Sequence, residues 1–442
     1  MPAFDPVTSN TTLPKKADAV VIGGGIAGIM TALELSERGY FVVVLEKGEV
    51  AAEQSGRNWG WVRQMGRDPR EAPLITIALN KWRAMNARIG AETGFRECGI
   101  LYMSETDAEQ AGHAKWLKEV GEPNGIRSQL LSSKEVAQRA PGSLRVWRGG
   151  MFTADDGRAE PFIAVPAMAR ALQARRGEVF THCAARGLER KAGRVSAVVT
   201  EKGTIETDTV VVAAGYWTRR FLRREGVRFK QLGVISSVMR TAPRESGMKH
   251  TFAGSSYAVR KRLDGGYTIA NNMVTTVDLT PAHLSHMLSF RPLLWQNREL
   301  VKMRLGGRFF REAMTRRNWA LDEVSPFERL RMLDPKPNRR LLRQALEGLQ
   351  ADYPAFQGIE VVEQWAGMID ATPDAVPVID AVAKLPGLYV LSGLSGHGFG
   401  LGPGAGKLMA EIITGEKPCV DPTPFKLSRF GLFRSPKPTT GL

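Results

Sequence analysis

Residues 19–35 read Ala19-Val20-Val21-Ile22-Gly23-Gly24-Gly25-Ile26-Ala27-Gly28-Ile29-Met30-Thr31-Ala32-Leu33-Glu34-Leu35. An apolar run enters a glycine turn and a run of helical periodicity leaves it. A second apolar run, residues 40–45, ends in Glu46. Each part of this βαβ unit has a physical task. Gly23 permits the tight turn off the strand, Gly25 lets backbone approach a pyrophosphate, and Gly28 lets the helix pack against the sheet. The helix N-terminus at Ile26 and Ala27 offers unpaired N–H groups and a positive dipole end to an anion. Glu46, at the tip of the second strand, can accept hydrogen bonds from ribose hydroxyls. Glycines in an ordinary turn are the alternative reading. Strand before, helix after and acid at the right distance together predict a dinucleotide site, and the acid disfavours a 2′-phosphorylated nucleotide such as NADP.

The bulk numbers set the frame for this unit. At 442 residues the chain is too long for one simple core and predicts two domains, interleaved in sequence. Its 43% hydrophobic and 24% charged content is that of an ordinary soluble protein. No window approaches the roughly 18 uninterrupted apolar residues of a membrane span. The first 16 residues show no positive segment followed by an apolar core, so no secretory signal is read. Cys98, Cys183 and Cys419 are odd in number and lack CxxC spacing, which indicates neither a disulfide framework nor a metal site. The expected location is the cytoplasm or the inner face of the cytoplasmic membrane. The formal charge of +16 concentrates at Arg219, Arg220, Arg223, Arg224, Arg228 and Lys230, and again over residues 298–317. An anionic membrane surface, an acidic partner or a solvated basic face would each account for it. No nucleic-acid module accompanies the charge, so nucleic acid is not expected as a partner.

Periodicity predicts helices over residues 73–94, 107–120, 161–175, 339–353 and 406–414, with a further helix starting at Ser133. Strands are predicted at 99–103, 178–181, 194–201, 204–208, 234–240, 257–262, 267–272, 359–368 and 387–391. Residues 210–215 read as a buried parallel strand running into a glycine turn. Residues 54–61, Gln54-Ser55-Gly56-Arg57-Asn58-Trp59-Gly60-Trp61, look too glycine-rich and polar for a strand. The reading is an α/β, Rossmann-like nucleotide domain (1–95, 148–228 and 370–442) interleaved with an α+β substrate domain built on an antiparallel sheet (96–147 and 229–369). Residues 281–319 form a basic, aromatic helical insertion in the second.

A second glycine segment, Ser392-Gly393-Leu394-Ser395-Gly396-His397-Gly398-Phe399-Gly400-Leu401-Gly402-Pro403-Gly404, lies between a strand and the last helix. Its glycines leave backbone N–H groups open and let a planar ring approach without Cβ clashes. A helix N-terminus there would stabilise the negative charge of a reduced flavin. With the fingerprint, with Ser55-Gly56-Arg57-Asn58 and with Ala213-Ala214-Gly215-Tyr216-Trp217, this chain resembles the D-amino-acid-oxidase-like superfamily of FAD-dependent amine and amino-acid oxidoreductases. Three strings, at residues 183–189, 318–328 and 421–425, look especially like the bacterial membrane-associated L-amino-acid deaminases. The resemblance implies FAD rather than NAD. Gly23, Gly25 and Gly28 would hold the pyrophosphate and Glu46 the adenosine ribose. Ser55, Arg57 and Asn58 would line the span to the isoalloxazine, and Ala185 would face adenine. Gly215 and Trp217 would close over the cofactor, with His397, Gly398 and Gly400 against its ring. The same cofactor-facing set takes in Ile26, Ala27, Lys47, Gln54, Gly60, Trp61, Ala214, Gly396 and Phe399.

This chain also departs from that pattern. The deaminases end the strand equivalent to residues 267–272 in an arginine that grips the substrate carboxylate, and Asn272 stands here. His397 takes the place of an indole. Either the substrate has no α-carboxylate or its clamp comes from elsewhere, with Arg63 the best candidate and Arg260 behind it, since a bidentate guanidinium pair is what a clamp needs. An internal salt bridge is the alternative for Arg63. His397 either bonds a glycine-loop carbonyl or tunes flavin charge and keeps the substrate amine neutral. Trp59, Trp61, Tyr257 and Trp365 are candidates for an aromatic pocket wall, Tyr257 also for a catalytic role, and each could equally be core. No Ser/His/Asp or Cys/His constellation appears. The expected reaction is hydride transfer from an amino acid to FAD, giving an imino acid and then a 2-oxo acid and ammonia, with O2 or a membrane quinone as acceptor. Oxidation of a D-amino acid, secondary amine or N-alkylated amino acid, and a flavoprotein subunit of a larger electron-transfer complex, are the alternatives. The insertion reads as a membrane-facing element or as a lid over the site. The deaminases' N-terminal apolar anchor has no counterpart here, so only loose attachment is expected.

Overall fold

The computed structural model describes residues 4–272, 275–296, 298, 301–431 and 436–439. The Ala19–Ile22 strand, the Ile26–Ser36 helix and the Val42–Leu45 strand make the expected βαβ unit. Every residue of the two strands is buried, so alternation sends side chains into two different cores. Val21 and Val44 pack with the helices Ile26–Ser36, Ala72–Ile89, Pro161–Ala174 and Gly398–Thr414. Val20, Val43 and Leu45 face the other way. There the antiparallel strands Ala185–Lys191, Arg194–Thr200 and Gly203–Glu206 roof the sheet through Leu188, Val195, Val198 and Ile205. The central sheet has six strands, in the order Val378–Ala381, Leu388–Ser392, Val210–Val212, Ala19–Ile22, Val42–Leu45, Glu178–Phe180. All neighbours run parallel except the first pair.

A second, largely antiparallel sheet has ten strands among the described residues. Its spine is Leu232–Thr241, paired along its length with Val361–Ala371 and on the other side with Tyr267–Ala270. The sheet continues through Ala258–Lys261, Thr251–Ala253, Ile100–Ser104 and Gly149–Thr153 to Ser128–Ser132. The Arg339–Asp352 helix lays Leu342, Ala345 and Leu349 against Val259 and Ile269.

Four sequence expectations are corrected. Gly149–Thr153, read as part of the nucleotide domain, pairs with Ile100–Ser104 in the second sheet. Residues 54–61 are not merely a polar loop. Gln54–Arg57 is a helical turn, and Trp61–Val62 is a short strand paired with Gly157–Arg158. The insertion is not a pair of helices alone, because Val301–Arg304 lies between Pro281–Gln296 and Gly307–Met314 and pairs with Thr275–Asp278. The last long helix starts at Gly398, not Gly406, although it crosses five glycines and Pro403.

Tertiary packing overrides helix propensity in that last case. A Cβ at Gly402 would sit 2.7 Å from the Ile26 side chain, one at Gly404 2.7 Å from the Leu74 carbonyl, and one at Gly406 2.7 Å from Met30 backbone. The helix therefore lies closer to the first helix than any side chain would allow. Each glycine costs roughly 1 kcal/mol of helix stability relative to alanine, and backbone contact with two buried helices offsets it. Gly406→Ala should lower the unfolding midpoint, by about 2 kcal/mol of stability, since its methyl meets backbone that cannot give way. Gly112→Ala, on the exposed helix Asp107–Trp116 with nothing within 4 Å, should raise it by about 0.5–1 kcal/mol. Thermal unfolding of both variants checks this, and shifts of the same sign would contradict the packing account.

Candidate functional site

One large cavity of about 480 Å³ lies between the two sheets. Gly23, Gly25, Ile26 and Ala27 open its floor at the N-terminus of the first helix, and Ser395 to Phe399 form the N-terminus of the last helix against the same space. Val234, Ser236, Ile369 and Asp370 come from the second sheet. Neither helix is capped by the side chain of its own N-cap residue, and both positive dipole ends lie at the cavity, where Ser55 takes only the Ile26 N–H.

The floor has the shape of a nucleotide cradle. Gly23 holds φ +120°, and a Cβ on it would lie 2.4 Å from the Ala213 carbonyl. A Cβ on Gly28 would lie 2.0 Å from the Gly23 carbonyl, so Gly28 packs the helix on the turn and does not itself line the cavity. Glu46 lines it, with Oε2 accepting from Gly24 N at 2.8 Å and Oε1 from Gly48 N at 2.7 Å. Each oxygen keeps a lone pair for a ribose hydroxyl. Burial raises this carboxyl above its ordinary range despite Lys47 beside it.

Along the cavity wall the expected residues hold one another. Ser55 Oγ accepts from Ile26 N at 2.9 Å. Asn58 Nδ2 donates to the carbonyls of Gln54 and Ser55 while its Oδ1 accepts from Gly60 N, which ties the 54–60 turn together. Gln54 Oε1 accepts from Asp370 N. Lys47 pairs with Glu53 at 3.0 Å and sits 4.2 Å over the Trp217 ring, whose Nε1 donates to the same Glu53. Buried Arg57 bonds the Ala52 and Ala366 carbonyls and Asp334, and Nη2 has no partner among the described residues. Ala185, Ala214, Gly215, Gly396, Gly398 and Phe399 also line the space. These features fit an extended dinucleotide whose planar end lies near residues 396–399. Besides Gly28, two more glycines of the expected set serve packing instead. A Cβ at Gly60 would strike the Ala159 carbonyl and Arg260, and Gly400, whose carbonyl accepts from Trp82 Nε1 at 3.0 Å, backs the Trp61–Val62 strand.

Trp59, Trp61, Tyr102, Arg63 and Arg67 form another part of the lining. Trp59 and Trp61 meet edge to face at 5.6 Å. Arg63 donates to the Met65 carbonyl and lies 5.6 Å from the Tyr102 ring centre. Arg67 is 3% exposed, donates through Nε to the Arg63 carbonyl, and has Nη1 buried with no partner among the described residues. Burial, with the Arg63 charge, pulls its pKa down to about 9. Asp156 anchors the turn by accepting from Gln64 N at 2.7 Å and Met65 N at 3.2 Å, and burial pushes its carboxyl up to about 7. His397 lines the cavity and places Nδ1 2.9 Å from Glu71 Oε2. Asn272, which also lines it, donates to the Gly254 carbonyl.

Three expected pocket residues lie elsewhere. Arg260 is committed to Glu160 at 2.7 Å and to Thr268 and is no cavity-lining clamp. Tyr257 donates to Asp352 at 2.8 Å within the core of the second domain. Trp365 is buried, donating to the Arg57 carbonyl. Arg67 and Glu71 were missed by the sequence reading. Gly66-Arg67-Asp68-Pro69-Arg70-Glu71 has the composition of a solvated loop, and only their four-residue offsets, from Arg63 to Arg67 and from Arg67 to Glu71, hint at a shared face.

The comparisons with known proteins agree with this geometry. The L-amino acid deaminase from Proteus myxofaciens, solved in complex with anthranilate, superposes with a TM-score of 0.93 at 33% identity, over 97% of this chain and 96% of that one. The L-amino acid deaminase from Proteus vulgaris gives 0.92 at 33%, over 97% and 100%. Among curated sequences, glycine oxidase from Pseudomonas putida is 23% identical over 92% of this chain and 97% of its own length. Mitochondrial sarcosine dehydrogenase from Mus musculus is 25% identical over 95% of this chain, which spans only 42% of that protein. The family model described as FAD dependent oxidoreductase (DAO) matches residues 18–412. The chain belongs to this DAO family of FAD-dependent oxidoreductases, and its cofactor is FAD.

Proposed function

We propose that the protein oxidises an amino acid to its imino acid, which water then hydrolyses to a 2-oxo acid and ammonia. The observation that carries this reading is Arg67, a guanidinium that lines the same cavity as the cofactor cradle, is buried, and has no partner for Nη1 among the described residues. An unpaired buried cation is costly, and a substrate carboxylate is the partner that relieves it. Arg63, four residues away in sequence and lining the same cavity, would complete a two-guanidinium grip that fixes the α-carbon in place. When bound, FAD supplies the acceptor for the two electrons removed. Trp59, Trp61 and Tyr102 would exclude water and receive an apolar side chain. The likeness to the Proteus deaminases supports this substrate class, and glycine and sarcosine, named for the two curated relatives, also carry an α-carboxylate.

A docking surface for an anionic membrane is the second part of the proposal, with O2 or a membrane quinone as the final acceptor. It is supported by the insertion, where Leu284, Met287, Leu288, Trp295, Phe310 and Met314 are all more than half exposed amid Lys302, Arg304 and Arg311. Apolar side chains ringed by arginines suit a lipid headgroup layer. No helix among the described residues is long and apolar enough to cross a membrane. Val301, on the insertion's strand, lines the catalytic cavity, so the same element also closes part of the site.

Three measurements test these readings. Anaerobic mixing of the FAD-loaded protein with L- and D-amino acids should bleach the flavin, while the matching decarboxylated amines should not; bleaching by both alike would remove the carboxylate from the account. Arg67→Met should lower kcat/KM by about 30-fold or more, equivalent to about 2 kcal/mol, and at the same time raise the melting temperature, because it removes a buried unpaired charge. Loss of activity together with loss of stability would mark Arg67 as structural. Co-sedimentation with liposomes should require anionic lipid and weaken with salt, and Leu288→Glu with Trp295→Glu should abolish it. Binding indifferent to lipid charge, salt and these substitutions would exclude the membrane surface.

A further inference from the structure

Glu71 is fully buried, and one of its oxygens has no partner among the described residues. Its other oxygen meets His397 Nδ1 at 2.9 Å. A carboxylate can only accept here, so the proton of the neutral imidazole sits on Nδ1 and Nε2 carries the lone pair. His397 lines the cavity, and its Nε2 has no hydrogen-bond partner among the described residues. The backbone keeps this ring in place. His397 N donates to the Leu394 carbonyl at 2.7 Å, its carbonyl accepts from Leu401 N as the last helix begins, and Ser395 N is held by the Asp370 carbonyl. The result is an acid–imidazole pair whose open nitrogen faces the same space as Arg67.

We infer that His397 Nε2 is the proton acceptor for the substrate's ammonium group and that Glu71 is the positioning residue that sets its tautomer. This deepens the proposed function and rests on it. An amino acid in neutral water carries its nitrogen as an ammonium ion, which has no lone pair to support loss of electrons from the adjacent carbon. With the carboxylate on Arg63 and Arg67, one N–H bond breaks, its electron pair stays on nitrogen, and the proton forms a bond to Nε2. The neutral amine and an imidazolium paired with Glu71 result, and the imidazolium later returns its proton to water. No oxidant enters this step. The charged groups facing His397 are Arg67, Glu71 and Arg63. Burial and the two arginines hold the imidazole below its ordinary value while Glu71 opposes them, so the ring is neutral and able to accept a proton at pH 7.

The test is the pH profile of kcat/KM for the FAD-loaded protein, with flavin reduction as readout. His397→Ala should lower kcat/KM at pH 7 by about 100-fold or more. The deficit should shrink towards pH 10, where much of the substrate is already a free amine, and added imidazole should restore part of the loss. Glu71→Gln should move the acid limb to lower pH, because the carboxylate that raises the His397 pKa is gone, and should lower the plateau. An equal loss at every pH with no rescue, or an acid limb unmoved in Glu71→Gln, would overturn the proton-acceptor role. Failure of the parent reading looks different: no amino acid would bleach the flavin of the unmodified protein at any pH. The flavin absorbance spectrum of each variant shows that the cavity is intact, and His397→Asn, which can still donate to Glu71, guards against misfolding of the alanine variant.

Discussion

The whole site depends on how closely the last helix approaches the first. Glycines at 402, 404 and 406 let the Gly398–Thr414 helix lie on the backbone of the Ile26–Ser36 and Ala72–Ile89 helices. This contact joins residues almost four hundred positions apart in the chain. It brings a second helix N-terminus to the cavity already opened by Gly23 to Ala27. Two positive dipole ends at one space suit a long ligand that is anionic at its pyrophosphate and gains negative charge at its ring on reduction. A bulkier side chain at any of the three glycines would separate the helices and move residues 395–399, so the cost in helix propensity is tied directly to the cofactor site.

The same contact decides the electrostatics of the substrate end. His397 lies at the start of the last helix, and the helix from Ala72 begins just after Glu71. Packing one helix on the other is what brings Glu71 to His397. The turn that precedes Glu71 is fastened by Asp156 and carries Arg63 and Arg67. Cations, an acid and an imidazole therefore share one short segment and one helix start. The two arginines outnumber the ionised acid there, and Arg67 Nη1 and Glu71 Oε1 have no partner among the described residues. Buried polar atoms are rarely orphaned unless something else completes them.

Much of the nucleotide end was legible in the sequence because its signals are local. A glycine turn between strand and helix, with an acid after the next strand, has a fixed spacing and a fixed physical reason, and Glu46 stands at the cavity as that pattern implies, while Ser55, Asn58 and Ala185 stand there as the family resemblance implied. The substrate end was legible only in part. Arg63 and His397 could be picked out from unusual neighbours, but Tyr257 and Trp365 could not be told from core aromatics, since a buried aromatic has the same local pattern in either place. Arg260 failed as a clamp because its partner, Glu160, is distant in sequence. Arg67 and Glu71 were invisible for the opposite reason: their neighbours have loop composition, and their burial is created by helices from the far end of the chain. The early start of the last helix was hidden likewise, since glycine and proline argue against a helix until the close neighbour that requires them is known.

The most direct measurement is a crystal structure of the FAD-loaded protein with an aromatic carboxylate that binds without being oxidised. The carboxylate should lie against the guanidinium groups of Arg67 and Arg63, with its ring among Trp59, Trp61 and Tyr102. A carboxylate bound instead at Asn271 and Asn272, with Arg67 left unpaired, would contradict the account.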